Sequence, residues 1–242
     1  MIELWIPITI LAAFSQNLRS ALQKHLKSRL STAGATYVRF FYAIPFALLY
    51  LVILNQVFEL PLPEPNANFI GFGIIGGATQ IIATALLVYL FSFRNFAVGT
   101  AYSKTETAQT AVFGLIILGD PLTPGAIIGI MISLVGVMAI STARQEGGLK
   151  NILQSLSQKT ALIGLASGAM FGISAISYRA ASLSLGGDGV LIQAAYTLGC
   201  VTIFQTLIMT LYLQVKEKGE VNNVLRNWRG AILVGLRGMI GS

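Results

Sequence analysis

Long apolar stretches alternate with short polar segments along almost the whole chain. A helix needs around 20 largely apolar residues to cross about 30 Å of hydrocarbon, and seven stretches approach or exceed that length. An eighth apolar stretch begins near Gly230 and continues to Ser242. The pattern predicts an all-α integral membrane protein, with spans at residues 4–22, 33–54, 69–91, 96–117, 126–142, 160–183 and 190–213.

Composition excludes a water-soluble fold. Hydrophobic residues make up 55% of the 242 residues and charged residues only 10%, whereas soluble domains contain roughly 25% charged residues. The single cysteine, Cys200, and the single histidine, His25, are too few for a structural zinc site or an internal disulfide. We therefore expect no metal and no cofactor. No cluster of His, Asp and Glu suits catalysis at a membrane face, so we expect the protein not to be an enzyme.

Basic residues are concentrated on one side of the predicted membrane. The loops after spans one, three, five and seven contain eleven lysines and arginines, and the loops after spans two, four and six contain none. Because cytoplasmic loops are enriched in Lys and Arg, we expect a multi-pass protein of the inner or plasma membrane with its N-terminus outside. Nucleic acid is not an expected partner, since no soluble face gathers these charges. Five further basic residues lie within spans: Arg19, Arg39, Lys104, Arg179 and Arg237.

Two parts of the chain resemble each other at a nearly constant offset. Residues 17–21 align with residues 177–181 at an offset of 160, and Gly71 aligns with Gly230 at 159. Five spans precede the second copy, so it enters the membrane from the opposite side, as in inverted-repeat transporters. We expect an inverted repeat of five-helix units, a ten-helix architecture of which about seven and a half are present. The predicted domains are residues 1–142 (first repeat), 143–159 (basic cytoplasmic linker) and 160–242 (second repeat, incomplete by about 57 residues).

A turn motif separates spans four and five, and small or polar residues recur around it. These positions are the segment Leu118–Thr123, Gly129 and Gly136 in span five, Arg39 in span two and Ser15–Asn17 in span one. Together they resemble the EamA-type transporters of the drug/metabolite transporter superfamily, with Asp120 where that family usually has Glu. The resemblance covers the whole chain and implies a five-plus-five helix fold and efflux of metabolites.

The densest polar cluster within a span is residues 102–109 of the fourth. Counting from Phe96 at about 1.5 Å per residue puts Lys104 about 12 Å and Glu106 about 15 Å deep, near the midplane. A charge costs several kcal/mol there unless it faces a partner or a cavity. One stripe at helical spacing, as expected of a pore-facing strip, contains Tyr102, Glu106, Gln109 and Phe113. We expect Glu106 to couple protons or bind a substrate amine; the alternative is a structural ion pair that locks the bundle.

Span one has a polar strip that includes a cation. The strip consists of Ser15, Gln16, Arg19 and Gln23, with Asn17 beside it. Two interpretations of Arg19 stay open: it contacts substrate or a counter-ion in a cavity, together with Gln16 and Asn17, or it extends to the nearby cytoplasmic interface. For Arg39, which is also close to a span end, we expect interface anchoring.

Arg179 in span six and Gln80 in span three complete the candidate site. Arg179 follows three glycines at helical spacing, Gly164, Gly168 and Gly172. Because small residues let helices approach closely, we expect this face, and Arg179 with it, to point into the bundle. The glycines are expected to be packing positions, as are Gly125 and Gly129 in span five. Gln80 is expected to hydrogen-bond either a substrate or a neighbouring helix.

Charged residues at membrane depth favour a carrier. We expect a permease or exporter that moves a small metabolite by alternating access between two inverted repeats, with Glu106 as a candidate for proton coupling. An amino acid, an amine and an organic anion fit the candidate residues equally well. The alternative is a non-transporting membrane protein, either a truncated remnant or a subunit that completes its bundle with another chain. The expected partners are a small-molecule substrate and the lipid bilayer, and a homodimer stays open.

Overall fold

A computed structural model of the protein describes residues 5–93, 96–143, 158–187 and 189–240, and the secondary structure in these ranges is helical. Four of its helical segments are long and apolar enough to cross a membrane: Thr32–Gln56, Ala67–Leu90, Lys159–Ser184 and Val190–Lys216. Many large apolar side chains point outward, among them Ile116 and Val190, each 73% exposed. Such a surface fits contact with lipid rather than with water. The predicted all-α membrane class is confirmed, whereas most of the predicted linker lies outside the described residues.

The described part of the chain contains eleven α-helices and one π-helical turn. In chain order they are α1 (Trp5–Leu26), α2 (Thr32–Phe41), α3 (Ile44–Gln56), α4 (Ala67–Leu90), α5 (Phe96–Ser103), α6 (Glu106–Phe113) with a π-helical turn (Gly114–Leu118), α7 (Pro124–Ala143), α8 (Lys159–Ser184), α9 (Val190–Lys216), α10 (Glu220–Arg226) and α11 (Trp228–Ile240). The predicted spans two, three, six and seven correspond to α2 with α3, α4, α8 and α9.

Two of the predicted spans are interrupted. The chain turns between α2 and α3 because Pro45, at the start of α3, has no N–H for the preceding turn and its ring excludes that turn's carbonyl. The fourth span breaks between α5 and α6, at Lys104 and Thr105, where the sequence has no proline. The prediction of one continuous helix over residues 96–117 is therefore wrong.

The chain forms two compact units. Unit 1 comprises Met1–Gly77 and Ala181–Ser242, and unit 2 comprises Ala78–Ala180. The division crosses the boundary between the predicted repeats, so each unit combines helices from both halves of the sequence.

In unit 1, α9 packs against α2 and α3, and α1 packs against α11. A buried apolar cluster joins α3 to α9 through Leu54, Ile192 and Ala195. Gly235 of α11 lies directly against the backbone of Tyr42, where any side chain would collide. A glycine is needed at this position because the two backbones approach so closely.

In unit 2, α8 packs against α4. The Ser167 hydroxyl of α8 donates a hydrogen bond to the Ala83 carbonyl at 2.9 Å, and Leu87, Leu90 and Phe171 form an apolar cluster around Ala83. A second cluster joins α5 to α7 and α8; it consists of Ala101, Tyr102, Val137 and Ala161. Both clusters place α8 at the centre of unit 2.

The pairing of helices follows the internal offset of the sequence. Helices α1 and α8 contain the aligned residues 17–21 and 177–181, and α4 and α11 contain the aligned Gly71 and Gly230. Helix α1 pairs with α11 within unit 1, and α8 pairs with α4 within unit 2. The two pairs are counterparts of each other under the offset, as expected of related repeats.

Candidate functional site

The fourth span breaks where two backbone N–H groups donate to the carbonyl three residues earlier, instead of four residues earlier as in an α-helix. The N–H groups of Lys104 and Thr105 donate to the carbonyls of Ala101 and Tyr102 at 3.0 and 3.1 Å, which is 3₁₀ geometry. The Thr105 hydroxyl also donates to the Tyr102 carbonyl at 2.7 Å. Such back-bonding lets a threonine compete with the helical hydrogen bonds. The result is a polar turn near the middle of the predicted span.

Helix α8 presents glycine to this turn. A Cβ atom on Gly168 would lie 3.0 Å from the Ser103 carbonyl oxygen and 3.3 Å from the Glu106 nitrogen. These are backbone atoms at the break itself, so they cannot move aside as a flexible side chain would. The absence of a side chain at position 168 therefore lets α8 cover the polar turn closely.

The neighbouring glycines of α8 have the same role. Gly164 is in direct contact with the Gly99 carbonyl, and a Cβ on Gly172 would lie 3.1 Å from the ring of Phe113. The predicted packing role of the α8 glycines is confirmed. In α7, by contrast, Gly125 and Gly129 face open space within the described part of the chain, so the packing predicted for that pair is wrong there.

The predicted site residues around the break differ in burial. Tyr102 lies in the apolar cluster of α5, Lys104 is exposed and Glu106 is half-buried. Gln109 of α6 bridges to α8, because its side-chain amide donates to the Thr105 hydroxyl at 2.9 Å and to the Leu165 carbonyl at 3.5 Å. The predicted continuous stripe is wrong, since Tyr102 belongs to a different helix from Glu106 and Gln109 and packs in a core.

Gln80 of α4 forms a bond between helices. The Tyr178 hydroxyl of α8 donates to its side-chain oxygen at 2.9 Å. Of the two roles predicted for Gln80, interhelical hydrogen bonding is the one that the structure contains. Like the Ser167 hydrogen bond, this contact joins α4 and α8. It lies nearer the C-terminal end of α8.

Arg179 forms an ion pair with Asp120, just beyond the π-helical turn. Gly119 ends that turn in the left-handed conformation at φ 69°, which glycine adopts without strain. The side chain of Arg179 is 52% exposed and that of Asp120 33%. The expectation that Arg179 points into the bundle with the glycines is wrong, because its guanidinium extends to this carboxylate instead. The ion pair was not predicted, although opposite charges at the ends of spans four and six were its signal in the sequence.

Arg19 of α1 is buried in unit 1, with 2% of its surface exposed. Ser15 and Gln23, one turn away on either side, are buried as well, whereas Gln16 is half-buried and Asn17 is exposed. A side chain covered to this extent does not extend to the membrane interface. The structure therefore favours the interior position for Arg19 over the interfacial one.

Arg39 of α2 is also buried, with 6% of its surface exposed. The expected interface anchoring is wrong, because α2 is buried from Gly34 to Phe40 on all its sides. Unit 1 thus covers two arginines, one on each of two consecutive helices.

Two glutamates near the end of α9 hold the start of α2. The Ser31 N–H donates to the Glu220 carboxylate at 2.6 Å, and the Ser31 hydroxyl donates to Glu217. The same hydroxyl accepts a bond from the Gly34 N–H at 2.9 Å, which makes Ser31 the N-cap of α2. Negative charge is favourable at a helix N-terminus. This contact was not predicted, although two acids in an otherwise basic segment were its signal in the sequence.

These features define a multi-pass helical membrane protein with buried polar and charged side chains and a broken helix in its fourth span. The family model of the EamA-like transporter family matches residues 3–142, more than half of the chain. The chain therefore belongs to the EamA-like transporter family, in agreement with the resemblance seen in its sequence. No curated protein matches the chain significantly. The family indicates a membrane transporter of the drug/metabolite type rather than an enzyme.

Proposed function

We propose that the protein moves a small metabolite across the membrane by alternating access between two inverted five-helix repeats, residues 1–142 and 160–242. The observation that supports this most directly is the counterpart pairing of α1 with α11 and of α4 with α8. Transporters with inverted repeats alternate by rocking such equivalent elements against each other around a central site. The family resemblance implies that the direction of transport is export of the metabolite.

The sidedness predicted from loop charges is part of the proposal, with the N-terminus outside and the basic segments in the cytoplasm. Contacts between distant segments support it. Ser31 meets Glu217 and Glu220, and both segments are predicted to be cytoplasmic. Asn66 donates to the Ser184 carbonyl, and both are predicted to lie on the outer side. Each contact thus joins segments assigned to the same side of the membrane.

Glu106 is the proposed proton-coupling carboxylate. It follows directly after the polar turn between α5 and α6 and is half-buried. Irregular backbone at membrane depth is tolerated where it is buried in protein or lines a water-filled cavity, and discontinuous helices form ion and substrate sites in transporters. A carboxylate at such a break is in a position to exchange a proton as the site changes its access.

Reconstituted protein tests the proposal. Vesicles loaded with the pH indicator pyranine would receive leucine, putrescine or succinate, and flux and internal pH would be followed together. We expect one compound class to move with protons. We expect Glu106→Gln, which removes the ionisable group at nearly constant shape, to abolish the proton movement without lowering the melting temperature. Glu64→Gln, the same change in an exposed loop, is the matched control.

Two results would contradict parts of the proposal. Proton movement of wild-type size in Glu106→Gln would remove the coupling role of this carboxylate while leaving transport intact. Vesicles in which none of the three compound classes moves faster than in protein-free vesicles would contradict transport itself.

A further inference from the structure

Basic residues from two distant parts of the chain lie together at one end of unit 1. The segment after α1, residues 27–31, and the segment from the end of α9 to the start of α11, residues 216–229, contain six lysines and arginines against two glutamates. Ser31 joins the segments, because its N–H donates to Glu220 at 2.6 Å and its hydroxyl donates to Glu217. The cations of this basic face are Lys27, Arg29, Lys216, Lys218, Arg226 and Arg229.

Helix packing holds the two segments side by side. Helix α10 packs against α2, and the Tyr42 hydroxyl donates to the Val224 carbonyl of α10 at 3.5 Å. At the start of α11, a Cβ on Gly230 would lie 3.3 Å from the side chain of Leu26, the last residue of α1. The basic face is therefore assembled by the fold and does not belong to a single loop.

The two glutamates bind within the protein, whereas the cations reach the surface. Glu220 is buried, and its carboxylate also accepts a bond from the Asn223 amide at 3.0 Å. Glu217 binds the Ser31 hydroxyl. Five of the six cations are exposed, and Lys27 is half-buried. The outward surface of the basic face therefore has an excess of positive charge.

Exposed apolar side chains border the basic face. Val215 is exposed directly before Lys216 at the end of α9. In α10 the side chain of Val224 is buried, whereas Leu225 and the nearby Trp228 are exposed. Tryptophan is enriched where hydrocarbon meets headgroups, and helices with exposed apolar and basic side chains lie in that interface. We therefore expect the basic face at the level of the lipid headgroups.

The opposite end of unit 1 has the reverse charge. Residues 57–66, between α3 and α4, contain Glu59 and Glu64 and no lysine or arginine. The positive charge is thus concentrated at one end, next to exposed leucine and tryptophan. Anionic phospholipids match this combination, because each presents a phosphate beside hydrocarbon. A soluble acidic protein would match the charge but not the exposed apolar side chains.

We propose that the basic face binds the phosphate groups of anionic phospholipids, and that Leu225 and Trp228 insert among the acyl chains beneath them. Arginine forms parallel hydrogen bonds with phosphate oxygens, and each lysine or arginine near an anionic membrane strengthens binding about fivefold at low salt. With the sidedness proposed above, these lipids belong to the cytoplasmic leaflet, where anionic lipids are concentrated. The inference goes beyond the proposed transport function and does not depend on it.

Quenching of Trp228 fluorescence tests the proposal on the full chain. The chain has two tryptophans, and Trp5→Phe leaves Trp228 as the only one. This variant would be reconstituted in phosphatidylcholine vesicles that contain either phosphatidylglycerol or phosphatidylcholine brominated on the acyl chains, because bromine quenches a tryptophan in contact with it. The ratio of the two quenching affinities is the lipid preference. We expect phosphatidylglycerol to be preferred about tenfold or more at low salt, since several cations contribute, and less at high salt.

Paired variants test whether charge causes the preference. Lys218→Gln combined with Arg226→Gln removes two exposed cations of the basic face, and we expect the preference to fall about fivefold or more. Lys218→Arg combined with Arg226→Lys is the matched control, because it changes the same two side chains and keeps both charges. It should retain the wild-type preference. All four side-chain changes are at exposed positions, so the melting temperatures should stay close to that of wild type.

Several outcomes would overturn the inference. Equal quenching by the two brominated lipids would show that the basic face does not select anionic lipid. A wild-type preference in the glutamine pair, or an equal loss in the charge-keeping pair, would show that charge is not its cause. Binding of soluble polyglutamate without a preference for phosphatidylglycerol would assign the face to an acidic protein. None of these results bears on transport, which the flux of leucine, putrescine or succinate measures separately.

Discussion

Arg19 in unit 1 and Arg179 in unit 2 are equivalent positions of the internal repeat, yet their surroundings differ. Both lie within the aligned segments, residues 17–21 and 177–181, at an offset of 160 residues. Arg19 is 2% exposed among helices without acidic residues, whereas Arg179 is half exposed and paired with Asp120. Asp120 pairs with Arg179 where both side chains are accessible to solvent, whereas Arg19 is covered by the packing of unit 1. The surroundings of these two arginines therefore follow from the packing of each unit more than from their place in the repeat.

The two equivalent helices also differ in how closely this face packs. Gly168 and Gly172 of α8 lie against α5 and α6, whereas their counterparts in α1 are Ile8 and Ala12. Ile8 is 64% exposed, and burial on this face of α1 begins farther along the helix, at Ser15 and Arg19. Glycine permits contact between helix backbones and isoleucine does not.

The largest effect is expected from placing a side chain on the glycine face of unit 2. Gly168→Leu forces its Cβ against the Ser103 carbonyl oxygen and the Glu106 nitrogen, and it should lower the free energy of unfolding by about 3 kcal/mol or more, the upper end for overpacking. Thermal unfolding in detergent measures this. Gly129→Leu is the control, because its Cβ position is open, and its cost should stay within about 0.5 kcal/mol. Equal melting temperatures for the two variants would contradict the packing role.

The smallest effect is expected from the exposed arginine. Arg179→Gln removes an ion pair whose partners are both accessible to solvent, and such pairs contribute about 0–1 kcal/mol. Its melting temperature should therefore fall only slightly, and less at high salt. Asp120→Asn should give a similar change, and the double variant should add little to either. A fall in melting temperature as large as that of Gly168→Leu would contradict the small contribution expected of this exposed ion pair.

Local features of the sequence predicted part of this structure. Apolar length identified the membrane class, and the spacing of Gly164, Gly168 and Gly172 identified a packing face. The break in the fourth span had no comparable signal, because no proline marks it. It arises from the back-bond of Thr105 together with the close approach of Gly168 from a helix far along the chain. The role of Gln80 was only partly predictable. A polar side chain within an apolar span predicts a hydrogen bond, but only the fold shows that Tyr178 is the partner.

Residue order alone identifies a helical membrane protein of the EamA type, with few charges and most of them outside the spans. Local hydropathy and charge are sums over residues that are neighbours in the sequence, so they can be evaluated from the sequence alone. Only the packing of the folded chain shows that Arg19 and Arg39 are covered and that Asp120 pairs with Arg179. Arg19, Arg39 and Arg179 all lie near span ends in the sequence, but only packing with distant helices buries the first two and brings Asp120 to the third. Burial and ion pairing are set by groups that the fold brings together, and those groups are far apart along the chain.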